Sequence, residues 1–228
     1  PMHALMSAML VPLGAAWTVA PFRVPSRTSI RMCAAEDPPQ TMEQMCDEAS
    51  ASVRSGLLRG KRAMRVDVGI SSLDPRSPMY EPGTLARICL ELAKDGLAPL
   101  GGSLLLLLPG FTTSGAATEL LTDSDNQLNW PSDFRERVRI SSLGMQGPPS
   151  EVAELPAAVV VAGLSSAVDS DDPSFRNGRA WLRAASPSCA ALCVNLECQN
   201  EPVELGSFEQ SYFFTSYGIM RTAADVLP

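Results

Sequence analysis

SLLLLLPGFTTSGAATELL, residues 103–121, sets a run of five leucines, a glycine-bearing turn and a helix-forming segment in immediate succession. A strand built from Leu104–Leu108 is apolar on both faces, and such a strand needs cover on both sides. Gly110 and Gly115 bracket four residues, which is how a phosphate-binding P-loop opens. That motif continues with Lys, which reaches the β/γ-phosphates, and then with Ser or Thr, whose hydroxyl holds Mg²⁺. Ala116 and Ala117 stand at those positions, which argues against NTP hydrolysis. The stretch therefore reads as a buried strand, a turn over 109–115, and a helix starting at Gly115–Leu121.

The same grammar recurs on either side. Upstream, Thr41 with Gln44 forms a capping box before Met42, Met45, Ala49, Val53 and Leu57 at helical spacing, and Gly60 closes that helix. AMRVDVGI (63–70) alternates, with Val66, Val68 and Ile70 on one face and Arg65 and Asp67 on the other, as in a half-exposed strand. A Pro/Ser loop, SSLDPRSPMYEPG, leads to a second helix capped by Thr84, with Leu85, Ile88, Cys89 and Leu92 as its buried stripe and Gly96 at its end. Downstream, 137–143 is a short strand and AAVVVAGL (157–164) a second fully buried one. Residues 174–185 form a helix with Trp181 and Leu182 inward, and CAALCVNLE (189–197) is a third buried strand. FEQSYFFTSYGIM (208–220) is aromatic, β-prone and ambiguous.

Buried strands alternating with helices predict an α/β fold: a mostly parallel sheet with helices on both faces, a Rossmann-like three-layer arrangement. Ligands of such sheets sit beyond the C-terminal ends of the strands. Here those ends carry Pro109–Gly115, Gly163–Asp172 and Asn195–Glu201.

Composition narrows the function. The net charge is −7, and residues 1–35 hold Arg23, Arg27 and Arg31 with no acid. All 25 acids and only 15 of the 18 bases follow, so the body is acidic. Neutralising phosphates needs a basic face, which argues against nucleic-acid binding. His3 is the only histidine, so a body starting near Cys33 has none. That removes Ser-His-Asp and Cys-His catalysis and His-ligated zinc. Beyond the first 30 positions no run approaches the ~20 apolar residues of a spanning helix.

Residues 1–35 read as an address. MHALMSAMLVPLGAAWTVAPF has an apolar core ending in small residues, like a secretory signal. FRVPSRTSIRM then adds Arg, Ser and Thr without acid, like a transit peptide. In series, with Phe22 at the junction, they resemble the bipartite plastid presequence of algae with secondary plastids. A plain secretory signal or a mitochondrial presequence is the competing reading. The chain opens on Pro1, so its natural start is expected upstream. EDPPQ (36–40) is a linker, and 41–228 is expected to form one α/β domain.

Six cysteines permit three disulfides in an oxidising compartment. A chain of this size builds a core without them, and Cys89, Cys189 and Cys193 fall on predicted buried elements, as free thiols do. CAALCVNLEC lacks the second ligand pair of a zinc site, so no metal is expected. DSDNQLN (123–129) and DSDD (169–172) lack the Gly and Glu spacing of a calcium loop and read as solvated acidic turns.

Four sets of residues remain as site candidates. Gly110, Thr112, Thr113, Ser114 and Gly115, with Gly163 and Asn195 on the neighbouring strand ends, form a candidate anion or ligand loop built on backbone N–H groups at a helix N-terminus. The plainer reading, which is favoured, is a strand-to-helix turn in which Gly supplies φ > 0 and Thr112, Thr113 or Ser114 caps the helix. Arg176, Arg179 and Arg183 share one helix face and offer a surface for an anionic partner, or a solvated face paired with acids such as Asp172. Asp74 and Glu81 flank the proline-rich loop as an acid and base, and Ser165 and Ser166 have no base; neither set is favoured as catalytic.

Taken together, the opening helix plus strand ASVRSGLLRGKRAMRVDVG, LLLLLPGF, AAVVVAGLSS, CAALCVNLE and FEQSYFFTSYGIM resemble a plastid and cyanobacterial domain of unknown function. That family occurs in the Low PSII Accumulation assembly factors of chloroplasts and fused to a chloroplast adenylate kinase. The resemblance runs from about Thr41 to Met220, and the family's Phe-to-Tyr pattern is matched by Phe208, Phe213, Phe214 and Tyr217. The family continues past this point, which implies that the chain is truncated at its C-terminus. It has no established catalytic residues, so none is carried over, and no cofactor is implied. The resemblance implies a plastid location, in the stroma or at thylakoids, and a non-enzymatic auxiliary or assembly factor for photosynthetic complexes. The alternative is a small-molecule or nucleotide-phosphate-binding domain, or an enzyme, using the strand-end loops. The kinase fusion keeps that alternative open, although fusion is association and not shared chemistry.

Overall fold

The computed structural model describes residues 39–123, 130–145, 147–148, 155–164, 172–184, 186–195 and 208–215. Residues 1–38, most of both acidic segments (123–129 and 169–172), Ser165, Ser166 and Tyr217 lie outside them. Helix α1 (Met42–Leu58) starts at Thr41, whose Oγ1 accepts the Gln44 N–H at 3.2 Å. Gln44 Oε1 reaches back one residue further than a capping box requires, to the Gln40 N–H at 2.8 Å. Strand β1 (Ala63–Gly69) buries Met64, Val66 and Val68 and leaves Arg65 and Asp67 half-buried, the period-2 alternation of its sequence.

Helix α2 (Pro82–Glu91) begins two residues before the expected cap at Thr84. Pro82 is suited to the first helical position, where its missing N–H costs nothing. Thr84 lies inside the first turn, its hydroxyl donating to Glu81 Oε2 at 2.8 Å. The helix widens into a π-turn, Leu92–Gly96. Strand β2 (Leu104–Leu108) is buried throughout, followed by α3 (Gly110–Thr122), α4 (Ser132–Arg137) and β3 (Val138–Ser142). Strands β4 (Ala158–Ala162) and β5 (Ala190–Val194) are equally buried and flank α5 (Pro173–Arg183). Strand β6 (Glu209–Thr215) settles the ambiguous aromatic segment.

The six strands are all parallel, in the order β3-β2-β4-β5-β1-β6. On one face α1, α2 and α3 cover Val66, Leu106, Val160 and Leu192 with Val53, Leu85 and Ile88. On the other, Phe175, Trp181 and Leu182 of α5 pack over Leu107, Val161 and Cys193. This is the three-layer α/β arrangement. Cys46, Cys89, Cys189 and Cys193 are buried free thiols inside it. Among the described residues no helix is long and apolar enough to cross a membrane.

The direction in which the chain adds successive strands reverses within the sheet. The connection leaving β2 runs through α3 and α4 to the edge strand β3, whereas the one leaving β4 runs through α5 to β5 on the other side. The neighbours β2 and β4 therefore form a topological switch point, where parallel sheets open a crevice beyond their strand ends.

Candidate functional site

The glycine-bracketed segment is a helix and not a loop. Helix α3 begins at Gly110, five residues before the expected start, so Gly110–Gly115 are its first turn and a half. The N-cap is Pro109, and no side chain caps the helix. Thr112 is exposed, and Thr113 is buried with its Oγ1 hydrogen-bonded to the Tyr80 hydroxyl at 2.6 Å. Ser114 Oγ donates to the Gly110 carbonyl at 3.0 Å. Thr118 repeats this one turn later onto Ser114 O. Hydroxyls that bond back into their own helix let a run of Ser and Thr remain helical. Gly110 keeps φ at +67°, which is the turn the sequence called for.

Gly163 and Asn195 end β4 and β5, and both have positive φ, +62° and +50°. Their amides are already used: Gly163 N–H donates to Val194 O at 2.9 Å and Asn195 N–H to Val66 O at 3.0 Å. They therefore extend the ladder instead of forming an anion cradle. Both line a cleft of about 360 Å³ beyond the strand ends, roofed by the 3₁₀ turn Ser71–Leu73 and the loop after it. That volume lies within the range of small-molecule sites. Pro109, directly after β2, packs against Gly163 across the switch point: a Cβ placed on Gly163 would lie 2.8 Å from Pro109 Cγ and 3.2 Å from Pro75 Cγ.

Beside Asn195 and Ser71, the polar lining comes from Arg65 and Asp67 of the half-exposed strand face and from Asp74 and Arg76 of the loop after it. On β1, Arg65 Nε lies 2.6 Å from Asp67 Oδ2, and Gln210 Nε2 of β6 donates to the same oxygen at 2.7 Å. On the rim, Asp74 Oδ1 accepts the Arg76 N–H at 2.9 Å and lies 3.3 Å from Arg76 Nε. Phe213 stands opposite Asp67 in the β1–β6 register, and its ring is 58% exposed. Its position depends on a bulge. Gln210 pairs with Arg65 and Tyr212 with Val66, so Ser211 is the extra residue, its carbonyl accepting from Ser52 Oγ. A bulge re-aims the side chains that follow it. Tyr212 and Phe214 thereby join the α1-side core, and Phe213 falls on the cleft side.

Arg176, Arg179 and Arg183 lie on α5, away from this cleft. Arg176 and Arg183 are exposed, while the Arg179 guanidinium stands 5.7 Å from the Phe175 ring centroid. Asp172 caps the same helix by accepting the Ser174 N–H at 2.7 Å. Asp74 lies on the cleft rim and Glu81 at the N-cap of α2, each with its own local partner. Among the described residues no group of His, Cys, Asp and Glu could hold a metal ion. Burial pushes the Cys189 thiol up to about 11 and, with nearby Glu91, the Cys46 thiol up to about 12, so neither is a poised nucleophile. Set against protein-family models, curated proteins and solved structures, the chain matches none.

Proposed function

We propose that this domain is a non-enzymatic binding platform, acting in plastids as an auxiliary or assembly factor for photosynthetic complexes. The resemblance noted in the sequence and the presequence-like first 35 residues support the location and the class of partner. One observation carries the platform reading. Of the five large hydrophobic side chains most exposed among the described residues, four lie on a strand or in the connection that follows one. These are Met79 at 69%, Phe111 at 72%, Met145 at 67% and Phe213 at 58%. Single exposed apolar residues are ordinary, whereas several carried by the strands and connections of one sheet offer a partner repeated apolar contacts. Aromatic and Met side chains are also those enriched at interface cores.

The test is a tagged pull-down of the mature chain from gently solubilised plastid membranes, alongside a Met79→Glu/Phe111→Glu variant. Both positions are on the surface, so the variant is expected to keep its fold. Recovery of photosystem subunits or assembly intermediates by the parent chain, lost in the variant, supports the reading. Bait recovered alone, or equal recovery by both, refutes it.

A further inference from the structure

We infer that the strand-end cleft binds a small, uncharged, hydroxyl-rich molecule, a neutral sugar in chemical class, and not a nucleotide or other phosphate. This goes beyond the platform reading, because it concerns the cleft itself and stands on the isolated chain.

Charge balance is the first ground. The cleft holds two guanidiniums, and each is within 3.3 Å of a carboxylate in the same lining: Arg65 with Asp67, Arg76 with Asp74. An incoming phosphate would gain each cation only beside an acid that repels it. The two strand-end amides of the lining are committed elsewhere, Gly163 N–H to the Val194 carbonyl and Asn195 N–H to the Val66 carbonyl. An Arg cluster without acids, a usual anion device, is not what these residues build.

The second ground is what the lining offers instead. Carboxylate, guanidinium, the Asn195 carboxamide N–H groups and the Ser71 hydroxyl bring both donors and acceptors into one cleft. A sugar hydroxyl donates and accepts at once, so it bonds such mixed groups without leaving an uncompensated charge. Phe213 supplies the apolar surface, opposite Asp67 and on the same side of the sheet. An exposed ring beside paired planar polar groups suits a ring molecule with one C–H face and an edge of hydroxyls.

Isothermal titration calorimetry on the full chain tests this, with glucose, galactose, maltose and sucrose as probes and glucose 6-phosphate and ATP as charged counterparts. At least one neutral sugar is expected to saturate at millimolar affinity or tighter. Phe213→Ala should weaken it about fivefold and Asp67→Asn about tenfold, the loss of an apolar contact and of a charged acceptor. Ser71→Trp, on an exposed turn, should block binding and leave the thermal midpoint near that of the parent, which separates a lost site from a lost fold. The inference is overturned if no neutral sugar saturates up to about 50 mM, a bound of about −1.8 kcal/mol. It is equally overturned if a phosphorylated probe binds more tightly than its parent sugar, or if Ser71→Trp keeps full affinity.

Discussion

Asn195 Oδ1 accepts the hydrogen bond of the Val68 amide at 2.6 Å, so a side chain finishes a ladder that the backbone has left. Strand β5 ends at Val194, while β1 runs on to Gly69. With φ at +50°, Asn195 turns the chain away and offers its carboxamide where the next strand carbonyl would stand. Asn tolerates that left-handed conformation better than other non-glycine residues. Asn195→Gly keeps the turn but loses the bond and is expected to cost about 1 kcal/mol. Asn195→Ala loses the bond and adds conformational strain, for a total of about 2–3 kcal/mol. Urea denaturation midpoints rank the two. Equal losses would mean that the backbone conformation, and not the carboxamide, is what matters.

Gly163 and Gly110 have nearly the same φ, +62° and +67°, yet different surroundings. A Cβ at Gly110 meets nothing within 4 Å, whereas one at Gly163 meets Pro109 Cγ at 2.8 Å. Gly110→Ala should therefore cost only the left-handed conformation, about 1–2 kcal/mol. Gly163→Ala adds overpacking against two proline rings and should cost about 1–3 kcal/mol more. A thermal or urea series with the two variants side by side decides it. A Gly163 variant no worse than the Gly110 one would show that the proline contact relaxes freely.

These two glycines also mark how far the sequence could be read. Leu104–Leu108, Ala158–Ala162 and Ala190–Val194 were legible as strands because burial on both faces leaves no polar residue to confuse the period. Strand order was not, because it follows from crossover connections that no local pattern encodes. The start of α3 was missed because glycine at 110 and 115 looks like a loop, while the hydroxyl back-bonds that keep the segment helical are silent in a sequence. Gly163 and Asn195 were found as strand-end residues. Their companions Arg65 and Asp67 were not, because alternation on a strand reads as a solvated face until the order puts β6 beside β1.

The Tyr80 hydroxyl and Thr113 Oγ1, 2.6 Å apart, tie the loop after β1 to the first turn of α3. Thr113 is one of the few buried polar residues of the described chain. Tyr80→Phe should cost about 1 kcal/mol, and Thr113→Val somewhat more if it leaves the phenol without a partner. The two should couple by about 0.5–2 kcal/mol in a double-mutant cycle of urea midpoints. Strict additivity would show that the two groups do not act as a pair.

The bulge at Ser211 explains why 208–220 has no clean period, and it makes a sharp prediction about deletions. Deleting Ser211 restores plain alternation, with Tyr212 and Phe214 still facing α1 and Phe213 still on the cleft side. Only the Ser52 bond and the local bend are lost, about 1–2 kcal/mol. Deleting Phe213 instead moves Phe214 to the opposite face, since a one-residue slip reverses every later side chain. That variant should lose about 2–4 kcal/mol, comparable to emptying an aromatic core position. Circular dichroism melts compare them. Equal destabilisation would place the strand's stability in its backbone pairing and not in which face its rings occupy.

Alkaline pH should weaken the fold through groups that burial holds neutral. Cys46 is pushed up to about 12 by burial and then by nearby Glu91, and Cys189 up to about 11 by burial. Cys89 is raised by burial, and Tyr212 by burial and the Glu48 carboxylate that its hydroxyl meets at 3.1 Å. Unfolded thiols ionise at about pH 8.5. Below that value both states hold their protons, so the contribution is intact. Above it the unfolded chain loses protons that the native one keeps, so stability falls as pH rises, by up to about 1.4 kcal/mol per pH unit for each thiol. Urea midpoints under reductant should hold up to about pH 8.5 and decline beyond it, and Cys46→Ala/Cys89→Ala should flatten the decline. In parallel, a thiol reagent at about pH 8 should label these cysteines slowly in the native chain and fully in urea. Fast native labelling, or a midpoint indifferent to alkaline pH, would mean that the thiols are not shielded as their packing implies.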